Sequence, residues 1–181
     1  MFGIVESHML AQVNWGPIAD WVSGIGSLSA CITALYLAKK QNKIQITASC
    51  GPRLVIQNGF PNTEVISFIA INVGNRSTII NGIGFSVGYI KKRHCIVTIM
   101  KSRTSQAVPL ALSDGQEGHW TIEKNLPTPW YPEFCNGFIN TIRDVDSLKV
   151  LFYTTNGGMF SFKPDNTFKQ ELKDFLRLKT S

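Results

Sequence analysis

All 18 Lys and Arg residues of this chain lie after position 38, behind an uncharged stretch running from Trp21 to Ala38. As a helix that stretch would rise about 27 Å, close to the ~30 Å hydrocarbon core of a bilayer. A long apolar run with every basic residue on one side predicts a single membrane helix, and the basic side predicts a cytoplasmic domain. The helix is expected over residues 17–40, leaving 1–16 as a short extracytoplasmic head. Pro17 suits a first helical turn, where its missing N–H costs nothing. Trp15 and Trp21 would mark one interface and Tyr36 the other. Lys39, Lys40 and Lys43 follow as candidate lipid-facing residues. Asp20, one residue outside Trp21, can reach headgroups or favour the helix N-terminus.

Two competing readings attach to the same segment. Ser23, Ser27, Ser29 and Thr33 make the span only moderately apolar, as in a core helix of a soluble protein; length and charge placement favour the membrane. Leu28-Ser29-Ala30-Cys31 has the form of a lipobox, at which a cysteine is lipidated and the upstream peptide removed. No Lys or Arg precedes it, Asp20 interrupts the apolar region, and ITALYLA continues the apolar run past the cysteine, all contrary to a secretory signal. Gly26, Ala30 and Ala34 recur every four residues and are candidate helix-packing positions, so self-association through this helix is expected alongside the plainer reading that small residues are frequent there.

The remaining 140 or so residues suffice for one domain with its own core. From Lys39 onward 18 basic residues face 10 acidic ones, net +8, with Glu6 and Asp20 ahead of the count. Such a domain is attracted to an anionic leaflet. Cys50, Cys95 and Cys135 show no CxxC spacing, which argues against a disulfide framework and a zinc site.

Past Asn42 short runs rich in Val, Ile, Phe and Thr alternate with turn residues. They predict strands over Ile44–Cys50, Arg53–Gln57, Glu64–Val73, Thr78–Tyr89, His94–Met100, His119–Lys124, Ser147–Thr154 and Met159–Lys163. Trp120 and Ile122 fall on one side of their strand, His119, Thr121 and Glu123 on the other. Thr155-Asn156-Gly157-Gly158 carries the Asn-Gly pair of tight hairpins. The class is mainly β: an antiparallel immunoglobulin-like sandwich over 44–164, with a small barrel as the alternative. A C-terminal amphipathic helix over 166–178 presents Phe168, Leu172, Phe175 and Leu176 on one stripe. Docking on the sandwich is its expected use, ahead of the membrane or a partner.

The head NWGPIADWVSGIG, the juxtamembrane ALYLAKK, then IAINVGNRSTIINGIGF, LSDGQEGHW and VLFYTTNGG resemble uncharacterised bacterial membrane-anchored proteins with one N-terminal transmembrane helix and an immunoglobulin-like β-sandwich domain. The resemblance implies the fold and the anchor, and brings no catalytic motif. With the chain's small size it implies a binding or interaction module, an accessory, immunity or exclusion factor of a bacterium or mobile element, in the bacterial inner membrane. The rival expectation is a membrane effector whose domain senses a ligand and whose transmembrane helix then oligomerises.

No constellation of acid, base and nucleophile emerges, so an enzyme, a cofactor and a metal are not expected. His94 and Cys95, adjacent on a strand, point to opposite faces. His8 is predicted across the membrane from the domain, and His119 lies on a polar face. Asp144 and Asp146 read as solvated turn residues. Gly82, Gly84, Ser86 and Gly88 alternate with Ile83, Phe85, Val87 and Tyr89, which leaves one strand face nearly bare. A bent or bulged strand, or close approach by a ligand, a partner or the chain itself, would each account for that. Lys91-Lys92-Arg93 forms a basic hairpin tip without interleaved aromatics, making nucleic acid an unfavoured partner. The loop PTPWYPEFCNGF carries Trp130, Tyr131, Phe134 and Phe138, candidate interaction residues for an unknown protein partner. The same aromatics also plug the open ends of sandwiches, the favoured use of the two.

Overall fold

The computed structural model describes residues 16–41, 43–56, 58–125 and 128–180. The head expected over 1–16 therefore lies, apart from Gly16, outside the described residues, as do Trp15 and His8. The first element, α1 (Gly16–Gln41), is an unbroken helix that rises about 39 Å. From Ala19 to Lys40 every residue is exposed, including Trp21, Ile25, Leu28, Ile32 and Leu35. A helix apolar on all sides and left uncovered suits hydrocarbon better than water. Ala19–Lys40 is long and apolar enough to cross a membrane, and none of its apolar window is buried, unlike the core helix of a soluble protein. Lys39 and Lys40 occupy its last turn, and Lys43 stands exposed beyond it. Cys31 is an exposed mid-helix residue.

The chain divides into two compact units after Gln41. The second holds eight strands: β1 (Ile46–Val55), β2 (Thr63–Asn72), β3 (Thr78–Val87), β4 (Arg93–Val97), β5 (Leu110–Leu112), β6 (Glu117–Glu123), β7 (Lys149–Thr154) and β8 (Met159–Phe162). They form two open antiparallel sheets. One has the order β1-β2-β6; the other runs β4-β3-β7-β8, with β5 also paired to β3. Separate, unclosed sheets are consistent with a sandwich and remove the small-barrel alternative.

Alternation builds the core between the sheets. Ile66, Phe68 and Ala70 on β2 and Trp120 on β6 meet Ile83, Phe85 and Val87 on β3 and Val150 and Phe152 on β7. Trp120 is fully buried, its ring 6.1 Å from that of Phe152, and its Nε1 donates to the Ala107 carbonyl at 3.4 Å. On β3 the register against β7 shifts between Ile80 and Gly82. This irregularity lets Ile80 and Ile83 both be buried although a strict period of two would separate them. Among several buried polar residues, Asn72 is completely enclosed. Its Nδ2 donates to the carbonyls of Arg76 and Leu112 at 2.9 and 3.0 Å, and its Oδ1 accepts from the Gly74 N–H at 3.1 Å. It thereby holds the β2–β3 turn and fastens it to β5.

Several boundaries differ from expectation for identifiable reasons. Gly51-Pro52 does not split β1, because β1 is an edge strand, where a proline's missing N–H costs no ladder bond. Gly51 is buried beside the Asp165 carboxylate, and the Asp165 N–H donates to Cys50 O at 2.8 Å along the same edge. The edge of β6 is covered by residues 104–106: the His119 N–H donates to Gln106 Oε1 at 2.7 Å and the Thr121 N–H to Ser105 Oγ at 3.1 Å. Such cover blocks further strand pairing.

Three further helices follow. The segment expected as a loop contains α2 (Trp130–Cys135). Pro132 is its third residue, still within the first turn, where no intrahelical N–H is needed. The aspartates expected in a turn lie in α3 (Ile142–Ser147), where Thr141 and Asp144 form a capping box. The last helix, α4 (Asn166–Thr180), docks on the sandwich as expected, burying Phe168, Leu172 and Leu176 in the core with Phe175 packed against it.

Candidate functional site

The four aromatics singled out as interaction residues turn toward the domain interior. Phe134 is buried, and Trp130, Tyr131 and Phe138 are half-buried against the core. Trp130 stacks on Phe134 with centroids 4.3 Å apart, Phe134 sits 4.7 Å from Phe85 of β3, and Tyr131 approaches Phe168 and Phe175 of α4. The Tyr131 hydroxyl donates to Glu171. Burial, then that carboxylate, push its pKa up. Lys124 bonds Glu171 at 2.8 Å and Glu64 at 3.2 Å, joining β6, β2 and α4. This geometry fits the plug reading of the segment, and Trp130, Tyr131 and Phe138 keep part of their surface exposed.

The nucleophile candidates are spread apart. His94 is exposed while Cys95, the next residue on β4, packs against the core. Burial raises the pKa of Cys50 and Cys95, and pushes Cys135 up to about 11, so these thiols stay protonated near neutrality. One pairing was not foreseen: Ser67 Oγ and His119 Nε2 are 2.9 Å apart. Ser67 faces Thr121, two residues along β6, so the pair is a diagonal contact on the sheet's outer face. Ser67 is 3% exposed, and among the described residues no group of three His, Cys, Asp or Glu side chains gathers around the pair or converges elsewhere to hold a metal.

The outer face of the five-stranded sheet differs in chemistry. Gly82, Gly84 and Ser86 line β3 here, opposite the core-facing Ile83, Phe85 and Val87. Tyr153 closes the upper part, its ring 3.8 Å from where a Cβ on Gly82 would stand. Below it the face opens into a cleft of about 370 Å³. Ser86 is directly opposite His94 on β4 and Lys149 on β7, so imidazole, hydroxyl and ammonium form one row across three strands. Lys92 and Lys163 join the lining; Leu151, 1% exposed yet outside the main core, contributes apolar surface. The cleft's one carboxylate, Asp146, is held by Lys173 at 2.7 Å, and nearby Asp144 by Arg93 at 2.8 Å. The Lys169 pKa is lowered chiefly by burial, with Lys163 and Lys173 adding repulsion against the opposing pull of Asp146. Among the described residues Lys92, Lys149 and Lys163 have no ion-pair partner.

Of the residues singled out in the sequence, Ser86 and Gly88 of the glycine alternation, Tyr89, Lys92, His94 and Asp146 meet at this cleft; Lys149 and Lys163 do not stand out in the sequence. Their signal lies at the strand ends, a lysine opening β7 and another just after β8, and it becomes readable once both strands are known to follow β3 in the sheet. Gly26, Ala30 and Ala34 lie exposed on α1, with no atom within 4 Å of where a Gly26 Cβ would stand. Comparison with protein-family models, curated proteins and solved structures finds no match.

Proposed function

We propose that the chain is a single-pass protein of the bacterial inner membrane whose cytoplasmic domain is a binding module, serving as an accessory, immunity or exclusion factor of a bacterium or mobile element. The observation that carries the proposal is the uncovered apolar helix α1, followed within five residues by a basic β domain with its own core. The restriction of all Lys and Arg to positions after 38 supports the orientation. Strand orders β1-β2-β6 and β4-β3-β7-β8 support an immunoglobulin-like reading of the sandwich, in which consecutive strands cross between sheets in that arrangement. The buried tryptophan lies on β6, and the cysteines are free. Self-association would run through the open face of Gly26, Ala30 and Ala34. Support for binding comes from the cleft, where Lys92, Lys149 and Lys163 have no ion-pair partner among the described residues and suit an anionic ligand. A reporter that fluoresces only in the cytoplasm, fused after Ser181, should be active, and a periplasm-dependent phosphatase at the same place inactive. The reverse pattern would reject the orientation.

A further inference from the structure

We propose that the cleft on the outer face of the five-stranded sheet binds the phosphate of an anionic lipid headgroup, with the adjoining β3–β4 hairpin tip entering the interfacial layer. The inference rests on the membrane attachment proposed above. Lys92, Lys149 and Lys163 bring three positive charges to one small hollow, and its only carboxylate is already bonded by Lys173. Ammonium groups without counter-charges favour an anionic ligand, and the Ser86 hydroxyl between His94 and Lys149 adds a donor for a phosphate oxygen. The size of about 370 Å³ suits one headgroup rather than a polymer. The rim then commits the source of the phosphate. Tyr89 and Ile90, at the tip between β3 and β4, are 75% and 95% exposed, and Tyr89 lines the cleft itself. An uncovered Tyr-Ile pair beside Lys91 and Lys92 is costly in water and matches an interface, where aromatic and aliphatic side chains sit at headgroup depth and lysines reach phosphates. A soluble phosphate ligand would leave the apolar tip without a purpose.

The test uses the full chain in nanodiscs of phosphatidylcholine alone, or with roughly a third phosphatidylglycerol, read by backbone hydrogen exchange over residues 86–94 and 147–163. Exchange should slow at least about threefold in the anionic discs. The exposed pair Lys149→Glu and Lys163→Glu should abolish that slowing without shifting the melting temperature, and Ile90→Ser should weaken it. Equal exchange in both discs would overturn the proposal. Equal slowing by glycerol phosphate added to neutral discs would assign the cleft to a soluble ligand and overturn the lipid. Retention in neutral discs reads the anchor separately: a chain lost from neutral discs but held by anionic ones would sink the anchor and leave the cleft standing.

Discussion

The ring of Tyr153 lies across Gly84, 3.2 Å from where a Cβ on that glycine would stand, and the Cys95 carbonyl is closer still. Backbone there cannot yield without parting β3 from β4, so Gly84→Ala should destabilise the domain by about 1–3 kcal/mol. Gly82, whose nearest neighbour to an added Cβ is Tyr153 at 3.8 Å, has room. Gly82→Ala should change stability by less than about 0.5 kcal/mol. Urea denaturation of the two variants checks the contrast, and equal losses would show that the glycines serve strand bending instead of close approach.

Trp120 and Trp130 should separate by degree. Trp120 is wholly enclosed between the sheets, so Trp120→Ala should cost about 3–5 kcal/mol and unfold much of the population. Trp130 is half-buried and stacked on Phe134, and Trp130→Ala should cost about 2–3 kcal/mol. Thermal melts measure both. An unchanged melting temperature for the Trp130 variant would return the aromatic segment to the status of a binding surface.

Much of the fold was legible because strand signals are local. β2, β3, β7 and β8 announce themselves by β-branched and aromatic runs between turn residues, and Trp120 by its alternation. What failed depended on neighbours. Pro52 reads as a strand breaker until β1 is known to lie at an edge, and Pro132 reads as loop until it is placed in a helix's first turn. Three residues of β5 are too few to show a period. Asp144 reads as solvated in the sequence, because its capping role with Thr141 and its Arg93 partner come from a residue three positions back and a strand about fifty residues away. The cleft was half legible: the bare face of β3 showed in the glycines, but the lysines beside it belong to other strands.

Asp144 also sets a pH dependence. Burial pushes its pKa up, but hydrogen bonds from the Asn140 N–H, Arg93 and Thr141 outweigh that and hold it below the ordinary 3.8. A carboxylate with a depressed folded-state pKa contributes stability fully above its unfolded value and loses it as pH falls through the folded one. At neutral pH, Asp144→Ala should therefore cost about 1–2 kcal/mol. The gap to the unsubstituted chain should narrow only below the ordinary carboxyl range and close beneath the lowered pKa. Urea melts across acid pH test this; a gap independent of pH would remove the charged cap from the account.

The division between an anchor and a self-sufficient β domain is tested most directly by fractionating the full chain beside a fragment beginning at Lys43. The core runs from Ile46 to Leu176 and takes no residue from α1. The full chain should therefore sediment with membranes and resist alkaline extraction, while the fragment should be soluble, monomeric and mainly β by circular dichroism. A full chain released by alkali, or a fragment that is unfolded without α1, would contradict the account.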